Sequence, residues 1–148
     1  METNVWPMTD LLLWLHIGFA IFALGPITAA TMSTPRFIRA KDVGVLRYLH
    51  KTTRVYGVAS VGVFLFGVLL GREFLSRPYL SVSMTLFIVA AVLLVMVDRD
   101  QGTAIRVLTS DSPDDDAKVQ TGRIAALSGV IVLIWIVILV LMVWGDPV

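Results

Sequence analysis

Apolar residues in this chain are gathered into four runs, 11–32, 55–71, 79–97 and 124–144, and none of these contains an Asp, Glu, Lys or Arg. The hydrocarbon core of a bilayer is ~30 Å thick, and a helix rising ~1.5 Å per residue crosses it in about 20 residues. Inside that core every backbone N–H and C=O needs an internal partner, which a helix supplies within one segment. The pattern predicts an all-α polytopic membrane protein: an antiparallel four-helix transmembrane bundle forming one domain over 1–148, with helices that extend past the membrane into the cytoplasm.

The polar stretches carry helix punctuation. Asp42 or Val43 is a plausible start for the second helix, since Val43, Leu46 and Leu49 to Tyr56 keep helical spacing. Thr34-Pro35 is a start signal for a short basic helix after the first span. Ser112-Pro113 followed by Asp114, Asp115 and Asp116 offers a cap, a proline at the first position and carboxylates at the positive end of the dipole. A helix from there to Trp144 would be about 48 Å long; the alternative is an acidic loop. Gly25-Pro26 predicts a kink, because Pro26 has no N–H to donate and crowds the preceding turn.

Small residues indicate how the helices meet. Lipid tails are as apolar as Leu, so spans associate through close backbone approach and polar contacts. Gly57, Gly62, Gly67 and Gly71 on the second run are the candidate packing positions, the last two in a GxxxG spacing that also suits a dimer. The first run offers Gly18, Ala20, Ala23, Gly25 and Ala29. The fourth is nearly all Val, Ile, Leu and Met after Gly129, so much of it is expected to face lipid.

Charge supplies orientation. Arg36, Arg39, Lys41, Arg47, Lys51 and Arg54 lie between the first two runs, and Arg99, Arg106, Lys118 and Arg123 between the last two. Only Arg72 and Arg77 lie on the other side, so ten basic residues face two. The positive-inside rule then places both long connections in the cytoplasm and both termini outside, in a bacterial plasma membrane. Trp6, Trp14, Phe74, Tyr79 and Trp144 fall at the expected outer interface, and Phe37, Tyr48 and Tyr56 at the inner one. The first six basic residues are candidate contacts for anionic lipid headgroups. An acidic amino-terminal segment (Glu2, Asp10) is unlike a cleaved secretory signal, so the first span is expected to be retained. The partners implied are the bilayer and other membrane subunits, with no nucleic acid.

Candidate chemistry is sparse. There is no cysteine, which excludes disulfides and thiolate sites, and no metal-ligand spacing is present. No carboxylate lies in a span, whereas proton-coupled transporters use one. Apart from the Tyr56 and Tyr79 phenols at run ends, His16 is the only ionisable group within the four runs. It suits either an interhelical hydrogen bond, with Ser81, Ser83 or Thr85 as candidate partners, or an axial haem bond. His50 lies too far along the bundle to share an iron, so Met84 or Met142 would be the second ligand. No catalytic residue is identified, and the balance is against an enzyme.

A Leu-His pair early in the first of four spans (Leu15-His16), small residues after it and a basic loop with a second histidine resemble the bacterial integral membrane proteins grouped as domain of unknown function 2269. The chain is similar, more weakly, to the four-span protoporphyrinogen oxidases of the haem-binding type, on His16, Pro35-Arg36 and His50. That resemblance implies a haem b bound by His16, whereas Arg36 is followed by Phe37-Ile38-Arg39-Ala40 without the histidine of that pattern. The expected function is a non-catalytic accessory or assembly subunit of a larger inner-membrane complex, the alternative being a haem-b redox protein using His16 and Met84.

Overall fold

The computed structural model describes residues 6–72, 76–110 and 117–144, with side chains from residue 10 onward. Its helices are α1 (Trp6–Phe19), α2 (Gly25–Arg39), α3 (Val43–Leu70), α4 (Pro78–Thr109) and α5 (Lys118–Trp144). A π-helical turn, Ala20–Leu24, joins α1 to α2, so the two form one long span. The four resulting spans are each long and apolar enough to cross a membrane, and they pack against one another. The all-α bundle expected from the four apolar runs is therefore the architecture observed.

The irregularity in the first span lies just before Gly25-Pro26. Pro26 occupies the first turn of α2, where its missing N–H is tolerated, and the wider π-turn precedes it. Thr34-Pro35, by contrast, starts no helix: α2 runs through Pro35 to Arg39. The Thr34 hydroxyl turns back to donate to the Ala30 carbonyl at 2.7 Å instead of capping the next turn. Similar backward bonds from Thr28 and Thr31 line the same helix.

The turn from α2 to α3 is tight. Lys41 adopts a left-handed conformation, φ 55°. Its N–H donates to the Ile38 carbonyl, and that of Asp42 to the Phe37 carbonyl, both at 3.0 Å. This is the paired Schellman closure of a helix end. Asp42 then caps α3, its carboxylate accepting from the Val45 N–H at 3.2 Å. The second helix, expected to start at Asp42 or Val43, thus begins at Val43 with Asp42 as its cap.

The fourth span differs from expectation. Residues 111–116, which hold the proposed Ser112-Pro113 start, lie outside the described residues. Ala117 has φ 58° and is fully buried, and α5 begins only at Lys118. A left-handed residue interrupts any continuous helix from Ser112 to Trp144. The 27 residues of α5 span about 40 Å rather than 48. It is α4 that outruns its apolar window, continuing for three turns from Val97 to Thr109.

Packing is uneven along the bundle. At the end carrying the basic connections, hereafter the basic end, α2, α3, α4 and α5 close a ring, with α2 on α3 and α5, and α4 on α3 and α5. At the opposite end α1 packs along α3 and makes no extensive contact with α4 or α5. The core follows this asymmetry. Ile27, Ile38, Leu46, Leu94, Val97 and Ile124 form one buried cluster towards the basic end. On α5 the buried stripe is Ile124, Ser128, Ile131 and Ile134, at helical spacing, and nothing beyond Ile134 is buried among the described residues. In the first span no described side chain before Ala23 is buried. Midway, Phe64, Phe87 and Trp135 stack in sequence across α3, α4 and α5 at 5.2 and 5.5 Å between ring centroids.

The four glycines of the second run lie against other helices. A β-carbon on Gly57 would meet Leu94 of α4, on Gly62 the Phe19 ring, on Gly67 the His16 ring, and on Gly71 the Leu80 side chain. The GxxxG pair therefore serves two neighbours, Gly67 facing α1 and Gly71 facing α4. Gly18 and Gly25 have nothing within reach of an added β-carbon, so close approach by the first span is through residues such as Ala23 and Ala30 instead.

Candidate functional site

Polar chemistry concentrates where α4 leaves its apolar window, in Asp98-Arg99-Asp100-Gln101. Successive helical residues turn by about 100°, so these side chains radiate towards different neighbours. Asp98 faces α3, with one carboxylate oxygen 3.1 Å from His50 Nε2 and the other 3.5 Å from the Arg54 guanidinium. Asp100 faces α5, 3.3 Å from Arg123 Nε. Gln101 points inward, its amide donating to the hydroxyls of Thr34 on α2 (2.9 Å) and Thr53 on α3 (3.1 Å). One turn of α4 thereby ties itself to all three other spans.

The burial of these groups is uneven, and that decides their roles. The Asp100 side chain is 10% exposed while its partner Arg123 is 53% exposed. Removing Arg123 would strand a buried carboxylate, whereas removing Asp100 would leave a guanidinium that water already reaches. Gln101 is 2% exposed, and its carbonyl oxygen has no hydrogen-bond partner among the described residues. His50 Nε2 and Asp98 Oδ1 are both shielded from solvent, within ion-pair distance but without hydrogen-bond alignment.

His50 and Arg54, with Asp98, Arg99, Thr103 and Arg106, line a polar cleft of about 540 Å³ between α3 and α4. Gly102 also lines it, and a β-carbon there would sit 3.5 Å from the His50 ring. In sequence, His50 is surrounded by Arg47, Lys51 and Arg54; in the fold its nearest charged neighbour is the Asp98 carboxylate. Of the six candidate headgroup residues, Arg36, Arg39, Lys41, Arg47, Lys51 and Arg54 are all exposed, and Arg54 is drawn into the Asp98 pair.

His16 occupies a second, separate site towards the other end. Its Nδ1 lies 2.9 Å from the Val63 carbonyl oxygen on α3. A carbonyl only accepts, so Nδ1 carries the proton. The partner is neither Ser81, Ser83 nor Thr85, the hydroxyls expected from depth, because α1 packs on α3 and those residues lie on α4. Gly67 explains the contact: in a helix the side chain at i+4 flanks the carbonyl at i, and glycine there leaves the Val63 oxygen open to the imidazole. No hydrogen bond reaches His16 Nε2 among the described residues. Met84 is half-buried on α4, and the fold supplies no extensive α1–α4 interface to bring it to His16.

Comparison with protein-family profiles, with curated proteins and with solved structures yields no match.

The chemistry that reading the sequence missed is Asp98, Asp100, Gln101, Arg123, Thr34 and Thr53. Four polar residues in succession directly after an apolar run were the available signal. Charges at a membrane boundary by themselves mark orientation and lipid contact, not partners across a bundle.

Proposed function

We propose that this chain is a non-catalytic subunit of a bacterial plasma membrane, docked through its loosely packed end on a larger membrane assembly that it stabilises. The carrying observation is the one-sided core. The first span before Ala23 and α5 beyond Ile134 bury nothing among the described residues, and Trp14 and Phe22 are 72% and 74% exposed. Such faces can be completed by another protein's helices, since association in lipid depends on fit. The ten-to-two distribution of Lys and Arg supports a cytoplasmic basic end and extracytoplasmic termini.

The test is a photoreactive amino acid placed at Ile21 or Ile136, both exposed, followed by irradiation in native membranes. A discrete adduct with one larger membrane protein, which also co-purifies in mild detergent, is the expected result. Adducts with lipid alone, or with a second copy alone, would refute the docking reading.

A second reading, a haem-b redox protein, is favoured by the His16 geometry. An imidazole whose Nδ1–H donates to a backbone carbonyl keeps the lone pair on Nε2, the usual arrangement of an axial or metal-ligating histidine. The residues fit one axial ligand; the His16–Met84 pair has no such support. Haem would supply one-electron chemistry, and His16 would hold it. Oxidised and reduced visible spectra decide: a Soret band lost in His16→Ala supports this reading, and a flat spectrum from folded protein removes it.

A further inference from the structure

The seam between α3 and α4 carries two features on one stripe. On α3 the stripe runs through His50, Arg54, Val61 and Phe64; on α4 it runs through Val92, Val95, Arg99, Thr103 and Arg106. The steps on α4 are three or four residues, so these side chains share a face. One end is the polar cleft. Three guanidiniums against one carboxylate leave it at 3 − 1 = +2 with His50 neutral. Asp98 is committed to His50 and Arg54. Arg99 and Arg106 are exposed and have no ion pair among the described residues, Arg106 donating only to the Thr103 hydroxyl at 3.1 Å.

The other end is an apolar groove of about 300 Å³, lined by Val61, Phe64, Phe87, Ile88, Val92 and Val95, with Ala91 leaving it open. From Arg54 to Val61 is seven residues along α3, about 10 Å at ~1.5 Å each. From Arg99 back to Val92 on α4 is the same. The cleft itself lies at the end of the third apolar window, just past Val97, and at the start of the second, at Val55. That is headgroup depth, with the groove below it in the hydrocarbon.

We propose that this seam binds an anionic phospholipid, its phosphate held by Arg99 and Arg106 with Arg54 beside them, and an acyl chain lying in the Val61–Val95 groove. Charge complementarity selects a phosphate without a compensating cation on the headgroup, and an apolar groove on the same stripe selects a lipid over a free ion. Basic pockets between spans are a recurrent way to hold anionic headgroups. The site is independent of whether the chain docks on a larger complex.

The experiment is native mass spectrometry of the full chain released from nanodiscs of equal phosphatidylglycerol and phosphatidylcholine. Wild type is expected to retain phosphatidylglycerol preferentially. Arg99→Gln combined with Arg106→Gln should weaken that retention roughly twenty-fivefold, each arginine counting for about fivefold. Both residues are exposed and outside the core contacts, and circular dichroism checks that the variant is folded. Ala91→Trp, which fills the groove, should lower lipid retention while inorganic phosphate binding is unchanged. Equal retention of the two lipids, or undiminished phosphatidylglycerol on the double variant, overturns the proposal. Displacement by millimolar inorganic phosphate with no effect of Ala91→Trp overturns it in favour of a free-phosphate site.

Discussion

Replacing Gly67 by Ala tests the pairing of α1 with α3 at a single atom. The added β-carbon would lie 2.9 Å from His16 Cε1 and 3.2 Å from Nδ1, inside the 3.5–4.0 Å at which such atoms rest. The imidazole can retreat only by giving up the Val63 carbonyl, 2.9 Å away. Leaving that donor unsatisfied costs about 1–3 kcal/mol. Alanine returns about 0.5–1 kcal/mol of helix preference over glycine. A net loss of about 1–2 kcal/mol follows from these terms. In a His16→Ala background the collision and the hydrogen bond are both absent, so Gly67→Ala should instead stabilise by about 0.5–1 kcal/mol. The change of sign is the diagnostic, read by reversible unfolding in mixed micelles across the four proteins of the cycle. Gly67→Ala stabilising the parent protein, or costing the same in both backgrounds, would show that His16 does not rest on Gly67.

Arg123→Ala should destabilise by about 3 kcal/mol because it strands the Asp100 carboxylate, while Asp100→Asn costs about 1 kcal/mol or less; denaturant titration of the two variants checks the order. Lys41→Gly should raise stability by about 0.5–1 kcal/mol, since glycine takes the left-handed conformation of the Schellman turn without penalty, seen as a higher thermal midpoint in detergent. Gln101→Leu should stay within about 1 kcal/mol of the parent. The Thr34 hydroxyl keeps its bond to Ala30, and removal of the unpartnered amide oxygen offsets the loss of the amide donor at the buried Thr53 hydroxyl. A loss of several kcal/mol on unfolding would mean that the amide is a structural keystone.

Much of the fold could be read from the chain alone, and the physical reason is the solvent. Four uncharged runs of bilayer length can satisfy their backbones in hydrocarbon only as helices, so the number of spans and the fold class needed no tertiary information. Local punctuation also worked where the cap and the helix it starts are neighbours, as at Asp42, whose carboxylate reaches Val45. It failed where a distant residue competes. Thr34-Pro35 has the form of a helix start, yet Gln101, 67 residues away, donates to the Thr34 hydroxyl, and α2 continues through it. Ala117 is held left-handed with its methyl in the core, which no pattern near Ser112 foretells.

Neighbour choice was the part only tertiary structure decided. His16 was legible as a group needing a partner, but a backbone carbonyl leaves no mark in a sequence beyond the glycine that uncovers it. Asp98, Asp100 and Gln101 were legible as polar, but their division among three helices depends on the order of the spans around the bundle. Every face of a membrane helix is apolar, whether it meets lipid or protein, so no hydrophobic gradient tells one from the other. Which helices touch is settled by small residues, carbonyls and a few charges at the membrane boundary, and their pairing exists only once the bundle is assembled.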